Sequence, residues 1–344
     1  MPDHAHDNKH RQAAWSRYWK RDVLHSLPGS FTGNYEGAIG RFWRDAFERL
    51  GAGHRILDIA TGNGAIPQLV CTASAVDMPR VDAIDLAEVA PDWLSSQPPA
   101  CRKALHFHSG VSAEALPFPD ASFDLATSQY GIEYCDDARA IAELARVLRP
   151  GGRVALLVHH RNSRLAEVAR EELRLTDWLL QPSGLLDCLE AIIPWIAQAA
   201  SADGREKLQR NVEANRTRDE FNRGMQALGA AAAESPFPDL LEEARAFSAQ
   251  ALRALQSQPA AAILDSCRDY RESLRDARLR YTELCDCAMD EARLAAFTRR
   301  LSDHGLAGIY GAPIHHDNGV LMGWTLVARK PAPGDGTQAP PPDA

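Results

Sequence analysis

Residues 55–69, RILDIATGNGAIPQL, set Asp58 inside an apolar run and two glycines, Gly62 and Gly64, one residue apart behind it. A strand that feeds such a turn and then a helix is placed to hold a ligand, because glycine lets the backbone approach where a Cβ would collide. The frame Gly62-Asn63-Gly64-Ala65-Ile66-Pro67 lacks the third glycine of the dinucleotide pattern G-x-G-x-x-G, and no Gly-Lys-Ser/Thr follows to make a triphosphate loop. Asp58 would repel a pyrophosphate but suits a ligand with a cationic amino group. Asp85, 23 residues after Gly62, ends the next apolar run, where a carboxylate can accept both hydroxyls of a ribose. The chemistry on offer is therefore a ribose and an ammonium, with a pyrophosphate poorly supported.

Elements that could position these residues follow from the pattern around them. Strands are predicted at 55–59, 81–86, 105–108, 123–128 and 154–158, the last (VALLV) a continuous apolar run of the kind buried on both faces. AIAELARVL (140–148) is an amphipathic helix that ends at Arg149-Pro150-Gly151-Gly152. Strands alternating with helices imply a doubly wound parallel sheet. Before it, residues 12–50 carry aromatics at helical spacing around the turn-rich SLPGSFTGNYEG, which predicts two helices. After it, residues 163–300 read as helices, followed by strands at 306–310 and 319–328 around Asp317-Asn318-Gly319, a hairpin signal. The Pro/Gly-rich tail 331–344 is expected to be disordered.

The stretches LDIATGNG (57–64), AIDLAE (83–88), AEALPFPDASFDLATS (113–128) and ELARVLRPGGRVALL (143–157) together resemble the class I S-adenosylmethionine-dependent methyltransferases, in the broad group that includes ubiquinone- and menaquinone-biosynthesis methyltransferases. The resemblance covers residues 55–158 and the terminal hairpin, and leaves out the helical block between them. It implies an α/β, Rossmann-like, seven-stranded doubly wound sheet with its last strand antiparallel, plus a large helical insertion. The implied organisation is a helical lid over 1–50, a cofactor-binding core over 51–162, an insertion or cap over 163–290, and a final helix and hairpin over 291–330.

The same resemblance implies S-adenosyl-L-methionine as cofactor. Ala60, Thr61, Gly62, Asn63 and Gly64 would wrap its methionine end, Asp58 would support the ammonium, and Asp85 would hold the ribose with Leu86 against adenine. Ser112, Ala113 and Glu114 would meet the adenine edge, although relatives often carry an acid where this chain has Ser112. Ser128 and Gln129 would line the sulfonium side.

Methyl transfer is an in-line displacement, so positioning supplies much of the catalysis and a base is needed only where the acceptor must lose a proton. His159 and His160 follow the fifth strand, and Glu133 follows the fourth, where an open α/β sheet binds ligands; these are the catalytic candidates. Tyr18, Trp19, Tyr35, Tyr130, Tyr134 and Arg161 are the acceptor-side candidates. A polar strand-capping loop, a first helical turn and ordinary aromatic core are the structural alternatives for these groups. The expected reaction is O-methylation of an aromatic or hydroxylated metabolite. The alternatives are N-methylation of a small amine, carbon methylation, a nicotinamide-dependent oxidoreductase, and a cofactor-binding protein without turnover. Pro67 and the lack of a Tyr-x-x-x-Lys pair stand against the oxidoreductase.

With 38 Lys and Arg against 46 Asp and Glu, the net charge of −8 disfavours a nucleic-acid partner, which needs a basic surface. No apolar run approaches the roughly 18 residues that span a bilayer, and the polar start MPDHAHDNKHRQ lacks the apolar stretch of a signal peptide. A cytoplasmic location and no membrane partner are expected. The seven cysteines are scattered, so no metal site is expected and all are read as thiols in a reducing compartment. A homodimer through the helical insertion is the expected protein partnership.

Overall fold

A computed structural model of the chain describes residues 4–21, 23–27, 33–73 and 77–334. Residues 335–344 of the expected tail and 28–32 of the turn-rich segment lie outside them. Two compact units divide the chain: Met1–Ala166 with Leu284–Ala344, and Glu167–Glu283.

The first unit begins with α1 (His4–Trp19) and α2 (Gly37–Phe47), then β1 (Arg55–Ile59), α3 (Ala65–Ala73), β2 (Arg80–Asp85), α4 (Pro99–Ala104), β3 (Leu105–Ser109), β4 (Phe123–Gln129), α5 (Asp137–Val147) and β5 (Leu148–Val158). The helices α6 (Arg164–Leu179), α7 (Leu185–Gln198), α8 (Ala202–Gln209), α9 (Val212–Glu234), α10 (Asp239–Ala254) and α11 (Ala260–Cys287) follow. The chain then completes the first unit with α12 (Glu291–Asp303), β6 (Ala307–His315) and β7 (Leu321–Arg329).

Seven strands form one sheet in the order β3-β2-β1-β4-β5-β7-β6. The pairs among β1 to β5 are parallel, and β7 runs antiparallel to both β5 and β6. This is the doubly wound sheet expected from the strand–helix alternation. Leu57, Ile59, Ala126, Leu156 and Val158 share a core with Ile141, Leu144 and Val147 of α5 and with Phe297 and Leu301 of α12. Covering of the sheet by helices explains why β1 and β2 are buried nearly throughout rather than on alternate residues. Helix α5 starts where Asp136 accepts the Arg139 amide, an N-cap that satisfies a backbone donor.

Two strand boundaries differ from expectation by five residues or more. β5 begins at Leu148 rather than 154, because the Arg149–Gly152 stretch, with Gly151 at φ +83°, carries it across a register shift opposite Phe123 and Leu125. β6 runs on to His315, so the hairpin turn is confined to 316–320, where His316 N–H donates to the Val320 carbonyl (2.8 Å).

The order places β1 beside β4, where the chain winds outward in opposite directions; the crevice beyond these carboxyl ends is where such sheets bind ligands. Register does the fine positioning. Asp58 lies opposite Thr127, and Ile59 opposite Ser128.

The second unit has its own core, in which Leu189 and Ile193 of α7, Leu228 of α9, Leu241 and Ala244 of α10, and Ile263 and Leu274 of α11 are buried together. Arg271 of α11 bridges Asp187 and Glu190 of α7 at 2.7 and 2.9 Å, so these two helices are direct neighbours. Ser201 and Asn211 cap α8 and α9 through the amides of Gly204 and Ala214.

The cysteines depart from expectation. Cys71 in α3 and Cys101 in α4 are joined as a disulfide, with Cα atoms 5.7 Å apart, so these two are not thiols. No helix of the described residues is long and apolar enough to cross a membrane.

Candidate functional site

Beyond the carboxyl ends of β1 and β4 lies a cavity of about 200 Å³, lined entirely from the first unit. Three left-handed residues in five bend the turn that follows β1: Ala60 (φ +54°), Gly62 (φ +53°) and Gly64 (φ +79°). Glycine adopts this region freely, whereas Ala60 holds it against a cost of about 1–2 kcal/mol. Helix α3 begins directly after the turn, and Pro67 falls in its first helical turn, where no backbone N–H is required.

Asp58 and Asp85 are both buried. Thr127 donates its hydroxyl to Asp58 Oδ1 (2.7 Å), while Oδ2 has no hydrogen-bond partner among the described residues. Burial pushes the Asp58 carboxyl up to about 7, with threonine hydroxyls opposing and Asp85 reinforcing the rise. Asp85 accepts the amides of Gly62 and Ala87, each at 2.8 Å; burial still pushes it up to about 6. A buried carboxylate oxygen without a donor is costly, and an incoming cation or N–H relieves it. The glycine cradle, the orphaned Asp58 oxygen and the anchored Asp85 fit the ammonium and ribose of an adenosyl amino acid, and an adenosyl group would extend from Asp85 along Leu86 to Ser112, Ala113 and Glu114, all of which line the cavity.

Of the residues expected at the cofactor, Asp58, Ala60, Thr61, Asp85, Leu86, Ser112, Ala113, Glu114 and Gln129 line the cavity. Gly62, Asn63, Gly64 and Ser128 do not. A Cβ on Gly62 would come within 2.6 and 2.7 Å of the Trp19 ring, so this glycine makes room for α1 as well as bending the turn. Asn63 holds α1 in place, donating to the carbonyls of Trp19 and Val23 (2.8 Å each). Gly64 backs onto Phe107 and Trp93. Ser128 is fully buried; it donates to the Ile59 carbonyl (2.9 Å) and accepts the Ile132 amide (3.0 Å), a structural tie between strands rather than a cavity wall.

The other end of the cavity is aromatic, formed by Trp15, Trp19, Tyr35, Tyr130 and Tyr134. Trp15 and Trp19 stack with ring centroids 5.8 Å apart. Tyr130 takes a left-handed backbone (φ +53°), uncommon for a bulky residue, which sets its ring 4.4 Å from that of His159 and lets its hydroxyl donate to the Met322 carbonyl (3.2 Å). The Trp43 indole N–H donates to Gln129 Oε1.

The catalytic candidates lie elsewhere. Glu133 and His159 form a fully buried pair, Glu133 Oε1 accepting both the His159 amide and Nδ1–H at 2.8 Å. They sit behind Tyr130 and Tyr134, not in the cavity. His160 stacks on Trp324 of β7 (4.4 Å) and accepts the Asn162 amide through Nδ1, and it does not line the cavity. Arg161 pairs with Asp290 (3.1 Å). Tyr18, taken with Trp19 as acceptor-side, is core: its hydroxyl donates to the His25 carbonyl (2.7 Å).

Arg11, Gln12, Trp15, Leu24, His25, Ser26 and Cys135 line the cavity without having been expected there. For α1 the signal was legible: Arg11, Trp15 and Trp19 recur every four residues and so share a helix face. His25 follows the helix in a loop and had no such pattern.

Residues 57–156 match a protein-family model described as a methyltransferase domain. Curated proteins similar to this chain include a ubiquinone/menaquinone biosynthesis C-methyltransferase of Geobacter sulfurreducens, 33% identical over 127 residues that cover 35% of this chain and 48% of that protein. A demethylmenaquinone methyltransferase of Deinococcus radiodurans is 33% identical over 129 residues, covering 35% and 50%. An O-methyltransferase of Aspergillus nomiae is 36% identical over 125 residues, covering 35% and 54%. The chain spans about half the length of the curated relatives it matches.

Proposed function

We propose that this chain, whose residues 57–156 match a methyltransferase domain, is a class I S-adenosylmethionine-dependent methyltransferase that transfers a methyl group to a small acceptor, with oxygen on an aromatic or otherwise hydroxylated body as the receiving atom. One observation carries the reading. A single cavity runs from the Asp58–Asp85 carboxylates and their glycine turn to a wall of Trp15, Trp19, Tyr35, Tyr130 and Tyr134. The first end suits an adenosyl amino acid; the second buries a flat apolar body and excludes water, which leaves transfer to positioning.

Calorimetric titration with S-adenosylmethionine, S-adenosylhomocysteine and NADH in parallel tests it. Micromolar binding of both adenosyl compounds and none of NADH is expected. Binding of NADH alone would overturn the reading and every role assigned around Asp58 and Asp85.

A further inference from the structure

We infer that the Cys71–Cys101 disulfide is a redox latch on the glycine turn: closed, it holds the turn in its binding form, and reduction by a dithiol weakens the hold on an adenosyl ligand. The inference rests on the methyltransferase reading above and adds a means of regulating that same site.

The latch closes a circuit that begins and ends at the turn. Helix α3 starts at Ala65, directly behind Gly64, and its Ala65 and Ile66 line the cavity. Cys71 stands near the far end of that nine-residue helix and is joined to Cys101 of α4, with Cα atoms 5.7 Å apart. From α4 the circuit returns through Arg102, whose guanidinium donates to the Ser95 carbonyl (3.1 Å) in the short 3₁₀ turn Asp92–Ser96. Trp93 of that turn completes it. Its indole N–H donates to the Asn63 carbonyl (2.7 Å), and its ring lies where a Cβ on Gly64 would come within 3.1 Å. Among the described residues no hydrogen bond or ion pair crosses from α3 to α4, so the sulfur–sulfur bond is the direct tie between them.

The turn depends on being held. Ala60 is left-handed (φ +54°), and a backbone of this kind keeps its shape only where its surroundings over-determine it. A turn already in its binding form spares the ligand the cost of ordering it. Opening the circuit therefore lowers affinity without removing any group that touches the ligand.

The bond is placed to be reduced. Cys71 is half-buried, whereas Cys101 is 3% exposed, so a reductant meets the Cys71 sulfur first. Exposed disulfides are the ones that exchange readily. One thiolate of a dithiol attacks Cys71 Sγ; the bond to Cys101 breaks, and its electron pair leaves on Cys101 Sγ, which takes a proton from water. The second thiolate of the dithiol then closes on the first sulfur and expels Cys71 as a thiolate, protonated in turn. Two electrons pass to the protein, two protein thiols form, and the dithiol becomes a disulfide. Coupling runs both ways: the factor by which the closed latch favours the ligand is the factor by which the ligand favours the closed latch.

The test titrates the full chain with S-adenosylhomocysteine in two states, oxidised with glutathione disulfide and reduced with dithiothreitol, the state of Cys71 and Cys101 being read by alkylation and mass spectrometry. Reduction should weaken binding by about tenfold or more, with circular dichroism showing the reduced chain still folded. In mixtures of reduced and oxidised dithiothreitol, saturating S-adenosylhomocysteine should move the midpoint of reduction by the same factor, about 30 mV for tenfold. The double variant Cys71→Ala, Cys101→Ala should bind as the reduced parent does and ignore dithiothreitol. Affinities within about twofold of each other in the two states, or a midpoint that the ligand leaves unmoved, overturn the latch. A reduced chain that unfolds overturns it too, because the bond would then hold the domain together rather than set the site. A double variant that still responds to dithiothreitol assigns the effect to other thiols and overturns it as well. If neither state binds S-adenosylhomocysteine, the methyltransferase reading itself falls and the latch with it.

Discussion

Asp58 and Asp85 are carboxylates that the fold buries and then leaves short of compensation, and their protonation should govern ligand affinity. With the Asp58 carboxyl raised to about 7 and that of Asp85 to about 6, both take up protons as pH falls from 8 to 5. A cationic ammonium and a ribose diol need the ionised forms. Affinity for S-adenosylhomocysteine should therefore drop as pH falls below 7, approaching tenfold per pH unit for each group once below its pKa. Stability of the ligand-free protein runs the other way. The folded-state values lie above the unfolded value of about 4, so these groups contribute stability that is complete below pH 4 and lost as pH rises through 6 and 7. Calorimetric titrations and ligand-free melting curves across pH 5–8 should show these opposite slopes. Asp58→Asn should weaken binding at pH 8 by about tenfold or more and flatten the pH dependence near 7. A variant with full affinity at pH 8 would remove Asp58 from the ammonium site.

The elements that carry the site depend on one Cβ being present and another absent. A Cβ added at Gly131 would overlap that of Ala60, because the residues after β4 and the turn after β1 meet there. Gly131→Ala should destabilise the protein by about 1–3 kcal/mol through overpacking. Adding Ala60→Gly should restore most of that loss, since it removes the opposing Cβ and the left-handed strain of Ala60 together. Denaturant unfolding of the two single variants and the double variant checks this; equal losses in Gly131→Ala with and without Ala60→Gly would deny the contact. The same elements show what could be read in advance. The sheet, the turn and both aspartates were legible, because apolar runs of strand length and paired glycines are local signals. The places of His159 and His160 were not: position after a strand does not say to which side a chain turns, and the loop after β5 turns His159 under Tyr130 and His160 onto Trp324. His25 owes its place to Tyr18, Gly33 and Tyr35, contacts made in three dimensions that no spacing announces.

At the scale of the molecule, the first unit is assembled from both ends of the chain, with the residues of the second between them in sequence, and two of its helices are tied by a covalent link. Cys71–Cys101 joins the helix that leaves the glycine turn to the short helix before β3, closing a loop of sequence separation 30. In chain-entropy terms such a loop is worth about 3–4 kcal/mol. Dithiothreitol, or Cys71→Ser, should lower the melting temperature of the protein accordingly, and an unchanged melt would show the link to be absent in solution. The stacked Trp15–Trp19 pair has a consequence of another kind. Two of the seven tryptophans form the wall against which any occupant must lie, and Trp19 rests directly on Gly62. The protein therefore contains its own optical probe: ultraviolet emission from that pair will change in intensity and colour when the cavity fills, against a constant background from tryptophans elsewhere. Acceptors can then be screened by fluorescence quenching, with no label attached and no turnover required.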